Sequence, residues 1–135
     1  DAPDVANRSF TVTARIKAHA PKGIVVAQGG SAFGWALYYR DGKPTFALRE
    51  KNKLSEVVLD AKIPAAPYTL KASVNKGGKV TLSLGQQKTT GNVTPLTSHP
   101  ADGLQVGADE GGKVVELEYP SEFLGVIDSV AVDLR

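Results

Sequence analysis

The chain has 135 residues, of which 41% are hydrophobic and 22% charged, with a formal net charge of +2 and no cysteine. That is one domain's length, enough to bury about two-thirds of the surface an unfolded chain exposes. The composition excludes disulfides, thiolate metal sites and cysteine nucleophiles, offers no basic stripe for nucleic acid, and holds no apolar run near the roughly 20 residues of a membrane-spanning helix.

Asp1 to Arg8 is polar, carries Pro3 and reads as an arm or linker, leaving residues 9–135 as a single domain. The chain contains no methionine and opens without a leader-like segment, which suggests a processed product or a piece of a longer protein. From Ser9 to Lys17, Phe10, Val12, Ala14 and Ile16 alternate with Thr11, Thr13, Arg15 and Lys17, the pattern of a half-buried strand. After the Ala20-Pro21-Lys22-Gly23 turn, the continuous apolar run Ile24 to Ala27 suits a strand covered on both faces.

The centre of the stretch from Gly23 to Glu50 reads as a hairpin about Asp41-Gly42, a pair that tolerates positive φ at both turn positions. That register puts Arg40 opposite Lys43, Tyr38 opposite Thr45, Leu37 opposite Phe46 and Trp35 opposite Leu48. Trp35, Leu37, Tyr39, Phe46 and Leu48 then form a core wall. Ala36, Tyr38, Arg40, Thr45, Ala47 and Arg49 form an opposite face that is small, polar and basic.

Arg49-Glu50-Lys51-Asn52-Lys53 reads as a loop of solvated charges, followed by a short strand from Leu54 to Leu59. A second hairpin pairs Tyr68, Leu70, Ala72 and Val74 with Val80, Leu82 and Leu84 across a Lys76-Gly77-Gly78 turn. Gly91 to Asp102 reads as a long loop, Gly103 to Gly107 as a short strand, and Asp109 to Lys113 as an acidic, glycine-rich turn. In the last segment Phe123, Gly125 and Ile127 give way to Val130, Val132 and Leu134, and this phase change at Asp128-Ser129 predicts a bulge or corner. No stretch shows capped helical periodicity. About ten short strands with Gly and Pro turns predict an all-β, two-sheet antiparallel sandwich of jelly-roll type.

Two segments carry a family resemblance. GWALYYRDGKPTFAL resembles the G-W-x-L-Y-x-x-D-G-K hairpin of concanavalin A-like lectin/glucanase domains of the laminin G-like type, and DGLQVGADEGG with EFLGVIDSVAVDL resembles their closing segment. Order and spacing are similar to the small sandwich domain appended to the C-terminus of bacterial arylsulfatases and related secreted hydrolases. The resemblance implies a secreted or periplasmic, non-catalytic accessory domain that packs on or positions a catalytic domain. The alternative it implies is a lectin-like module for an anionic or sulfated polysaccharide. The turn Leu84-Gly85-Gln86-Gln87-Lys88 departs from the V-D-G-K form frequent in these domains.

No catalytic set emerges. The sulfatase signature, Cys or Ser followed by x-Pro-x-Arg, is missing, and Glu116-Leu117-Glu118 lacks the rest of the glucanase carboxylate motif. His19 and His99 are isolated, each beside a proline turn, and read as surface residues. For a glycan, Tyr38, Arg40, Thr45 and Arg49 would offer a ring, two guanidinium forks and a hydroxyl on one face. The competing reading is that this face packs on a neighbouring domain, its alanines permitting close approach. Phe33 and Tyr119 read as further loop aromatics. The superfamily often holds calcium with loop oxygens, and Asp109, Glu110 and Asp128, with Asp102 nearby, are the donors available. The alternative is an ordinary acidic turn, with Asp128 anchoring a corner.

Overall fold

The computed structural model describes residues 5–6, 8–19, 23–29, 33–51, 53–65, 67–96, 104–106 and 125–134. These form ten strands: β1 (Phe10–His19), β2 (Gly23–Gly29), β3 (Gly34–Arg40), β4 (Lys43–Glu50), β5 (Lys53–Val58), β6 (Tyr68–Val74), β7 (Lys79–Leu84), β8 (Gln87–Asn92), β9 (Leu104–Val106) and β10 (Gly125–Leu134). They assemble into two antiparallel five-stranded sheets, ordered β10-β1-β6-β7-β8 and β5-β4-β3-β2-β9. The all-β, two-sheet sandwich is the architecture the strand pattern predicts.

Period-two alternation supplies the core. Phe10, Val12, Ala14 and Ile16 on β1, Leu70, Ala72 and Val74 on β6, and Val80, Leu82 and Leu84 on β7 face Trp35, Leu37, Tyr39, Phe46 and Leu48 from the other sheet. Phe10 binds the layers together, its ring centroid 5.9 Å from Trp35 and 6.4 Å from Phe46, while Trp35 and Phe46 stack at 6.2 Å. Each such side chain contributes about 1.5–3 kcal/mol by leaving water. Trp35 donates its indole N–H to Gln28 Oε1 at 3.0 Å, so the one polar ring atom in this layer is satisfied.

The β3–β4 register is the predicted one, with Asp41 and Gly42 at φ 52° and 78° in the turn. The β6–β7 hairpin likewise pairs Leu70 with Leu84 and Val74 with Val80. The phase change in β10 is a bulge: Arg15 pairs with Ser129 and Ile16 with Ile127, leaving Asp128 as the extra residue. A second bulge leaves Val25 unpaired between Ile24 and Val26 and turns both Val25 and Val26 toward the core.

Four differences from the sequence reading stand out. Val5, within the segment read as an arm, is buried in the core. Arg49 to Lys53 is not a solvated loop: Glu50 and Lys53 close a hairpin, Lys51 turns it at φ 51°, and Glu50 is only 5% exposed. Phe33 packs partly buried against the core. Gly91 and Asn92, the start of the expected long loop, are the end of β8, a polar edge strand that pairs with β7. It lies so close to β5 that a Cβ on Gly91 would come within 2.7 Å of Val57 Cγ2.

Candidate functional site

The β3–β4 hairpin faces two ways, as its alternation requires, but its second face is not open. Ile24, Ala27, Ala36, Tyr38 and Ala47 form a second buried cluster on the side away from the sandwich core, with Leu54 at its margin. Tyr38 and Thr45 are 0% exposed. The expectation of an exposed ring and hydroxyl at the centre of this face is therefore corrected. The small alanines leave room for burial, and no ligand reaches Tyr38 or Thr45 without displacing what covers them.

What this face does contain is a closed polar cluster. Tyr38 donates its phenolic O–H to Glu56 Oε2 on β5. Arg40 Nε donates to the same oxygen at 2.8 Å, and Arg40 Nη2 donates to the Tyr38 oxygen at 3.4 Å. The guanidinium carbon also sits 5.4 Å from the Tyr38 ring centroid, in cation–π range. Burial, reinforced by the hydrogen bond to the Glu56 carboxylate, pushes the Tyr38 phenol far above its ordinary value. Burial alone would lower the Arg40 value, but the Tyr38 and Glu56 contacts outweigh it and raise it. Each member thus has its partner within the fold. Thr45 donates to the Lys43 carbonyl at 3.1 Å, and Arg49 is half-buried and engaged. The structure brings Tyr38 and Arg40 together and adds Glu56, while Thr45 bonds within its own strand.

Glu56 had no role in the sequence reading. It pairs with Ala47, which itself pairs with Ala36, so small neighbours in its row let a long side chain reach diagonally to Tyr38. Once Lys51 is recognised as a turn residue, that register follows. On the core side, Tyr39 and Tyr68 join their hydroxyls across the two sheets. Burial is the leading reason that both phenols sit above their ordinary value.

Of the calcium candidates, Asp109 and Glu110 lie outside the described residues, as do Tyr119, His99 and the Glu116–Glu118 segment. Asp128, the bulge residue, is exposed and faces the Arg15 guanidinium at 3.9 Å. Among the described residues no three His, Asp or Glu side chains converge as a metal site would require.

The outer face of the other sheet is open and polar. Cross-strand pairing lines up Asp133, Thr11, Ser73, Thr81 and Thr90 in one row, and Ala131, Thr13, Lys71, Ser83 and Lys88 in the next. Lys71, Lys88 and Thr90 are exposed, and Thr13, Ser73, Thr81 and Ser83 are half-buried. Between the first of these rows and the strand ends lies a depression of about 340 Å³. Nothing in the sequence reading marked it, because its residues are spread over three strands and look like ordinary solvent-facing positions.

No family model matches the sequence, and no curated protein matches it. Solved structures do. The LG4-5 domains of the mouse laminin alpha1 chain superpose with a TM-score of 0.77 at 15% identity, over 98% of this chain and 38% of that one. The CBM40 of the Ruminococcus gnavus IT-sialidase, solved with alpha2,6 sialyllactose, gives 0.67 at 15% identity over 96% and 77% of the two chains. The receptor binding domain of botulinum neurotoxin D gives 0.66 at 16% identity over 97% and 35%. The chain thus spans little more than a third of the laminin and toxin structures. Identities this low establish shape alone, and the shape is a laminin G-like, concanavalin A-like jelly-roll sandwich.

Proposed function

We propose that this domain is a non-catalytic, lectin-like binding module that presents the outer face of its β10-β1-β6-β7-β8 sheet to a polysaccharide carrying negative charge. The observation that carries this reading is the pairing of hydroxyl rows with Lys71 and Lys88 on an open sheet face. Hydroxyls both donate to and accept from sugar hydroxyls, and ammonium groups pair with carboxylates or sulfates. The Tyr38 face supports the reading less well, since its aromatic ring and its best-placed guanidinium are already engaged. That one solved neighbour of the same fold binds a sialylated sugar is in keeping with it.

The test is a glycan array on the full chain, with and without calcium, using neutral and anionic polysaccharides. Saturable binding to anionic polymers that weakens in a Lys71→Ala/Lys88→Ala variant supports the reading. Binding lost in Arg49→Ala and retained in the lysine variant returns the site to the β3–β4 hairpin. Calcium dependence would bring Asp109 and Glu110 into the account. Binding to no glycan refutes the module.

A second reading is an accessory domain that docks on the catalytic domain of a secreted or periplasmic hydrolase. That this chain covers 38% and 35% of the laminin and toxin chains is in keeping with one domain of a longer protein. A sulfatase as that parent draws on the sequence resemblance alone. A parent chain bearing the sulfatase signature would support it.

A further inference from the structure

We infer that the depression between β1, β6 and β7 is a binding pocket for one sugar unit bearing an oxyanion, a role that rests on the lectin-like reading above. Two short rows of polar side chains line it, together with Phe10 and Val74. Thr11, Ser73 and Thr81 are cross-strand neighbours. Ser9, Asn75 and Lys79 stand one step further toward the strand ends, and all six line the same space. The cavity's 340 Å³ is at the small end of the ~300–1,000 Å³ range of ligand sites, which suits one ring better than an extended chain.

The floor is built and ordered. Thr11 points to the outer side of the sheet, yet it is only 4% exposed, and its hydroxyl is 3.2 Å from that of Ser73. Ser9 Oγ accepts the Lys76 N–H at 3.0 Å, and Asn75 Oδ1 accepts the Lys79 N–H at 2.9 Å. These bonds use acceptor capacity and leave donors over. With its oxygen held by the backbone, Asn75 has its amide N–H groups left to offer. Among the described residues, neither the Lys79 ammonium nor the Thr81 hydroxyl has a protein partner. A site with surplus N–H and O–H donors and one cation selects a ligand rich in acceptors and carrying one negative charge. A hydroxylated ring with a carboxylate or sulfate meets that description. The nearest carboxylate in the pairing pattern is Asp133, opposite Thr11 at the far end of the row from Thr81, where it disfavours an anion bound on that side. The anion is therefore placed toward Lys79. Phe10 contributes no exposed ring, being 2% exposed and packed on Trp35, so the site has no stacking platform and binds weakly, with Kd on the order of 1 mM.

The experiment is an NMR titration of the full chain with glucuronate, glucose 6-sulfate, glucose and acetate, repeated on Lys79→Ala and Thr81→Val, with the anionic polymers of the glycan array run on the same variants. The expected result is saturable shifts at the amides of Thr11, Ser73, Asn75, Lys79 and Thr81 with an anionic sugar. Neither glucose nor acetate should match that affinity, because each lacks half of the recognised chemistry. Lys79→Ala should weaken binding about tenfold or more, as loss of a charge-assisted bond does. Lys79 and Thr81 lie on the solvent side of β7, so both variants keep the fold, checked by the unchanged spectrum elsewhere. The relative affinity of glucuronate and glucose 6-sulfate tells carboxylate from sulfate. If polymer binding persists unaltered in Lys79→Ala and the anionic sugars move none of these amides, the pocket is refuted while the lectin-like module stands. If neither polymer nor sugar binds, both fall.

Discussion

Gly78 offers the sharpest test of the packing. It ends the β6–β7 turn at φ +91°, donates its N–H to Asn75 O at 2.9 Å and accepts the Val93 N–H at 2.8 Å. A Cβ placed there would lie 2.1 Å from Val93 O and 3.2 Å from the Pro95 ring. Because the clash is with backbone, no rotamer change relieves it, and the segment that seats Val93 and Leu96 in the core must move. Gly78→Ala therefore combines positive-φ strain of about 1–2 kcal/mol, a lost hydrogen bond of about 1 kcal/mol and partial exposure of a buried Val worth about 1–2 kcal/mol. Together these amount to about 3–5 kcal/mol, a large part of the ~5–15 kcal/mol that holds such a domain folded. Two neighbours calibrate the measurement. Gly42→Ala meets nothing within 4 Å at φ +78° and should show the strain alone, about 1–2 kcal/mol. Gly77, which is not at positive φ and would meet only Asn75 Oδ1 at 3.5 Å, should be near neutral. Urea unfolding of the three variants gives the ordering directly. A Gly78→Ala cost within 1 kcal/mol of the Gly42→Ala cost would refute the steric reasoning.

Two further predictions concern buried polar groups. Tyr38, Tyr39 and Tyr68 all have phenols raised above the ordinary value of 10.0, with burial the leading cause. In the unfolded chain they ionise near that value while the fold keeps them neutral. The phenols' contribution to stability should thus be full below about pH 10 and be lost as pH rises beyond it. Most tyrosinate absorbance should appear together with loss of structure, and three phenols titrating reversibly near pH 10 in a folded protein would contradict this. The second prediction is that Gln28→Met, which removes the acceptor of the Trp35 indole N–H, destabilises the domain by about 1–3 kcal/mol. Adding Trp35→Phe should then cost less than it does alone in apolar contacts and hydrogen bonding combined, and full additivity in a double-mutant cycle would sink the claim.

Much of the fold was legible because it is local. The Asp41-Gly42 turn forces the pairing of Trp35 with Leu48 and Tyr38 with Thr45, since a two-residue loop leaves no freedom of register. Alternation marked Phe10, Val12, Ala14 and Ile16 as core-facing. The phase change at Asp128 announced the bulge that β10 makes against β1. Strand β8 escaped notice since an edge strand without apolar alternation is held by its hydrogen bonds to β7, and Gln87 to Asn92 carry no hydrophobic signal. The Lys51 turn escaped for a related reason: a charged residue at positive φ looks like any other solvated lysine.

The site was a different matter. Sequence alone determined which residues share a face, because the period of a strand is a property of its backbone. It did not determine whether a face meets water. The alanines that suggested close approach by a neighbouring domain are the residues whose size lets the Tyr38 face be buried within the fold itself, and Glu56 reaches Tyr38 and Arg40 from another strand. Likewise Ser9, Thr11, Ser73, Asn75, Lys79 and Thr81 are unremarkable in the chain and become one cavity when β1, β6 and β7 lie side by side. Burial and convergence depend on contacts between residues tens of positions apart, and those contacts exist only in the assembled sheets.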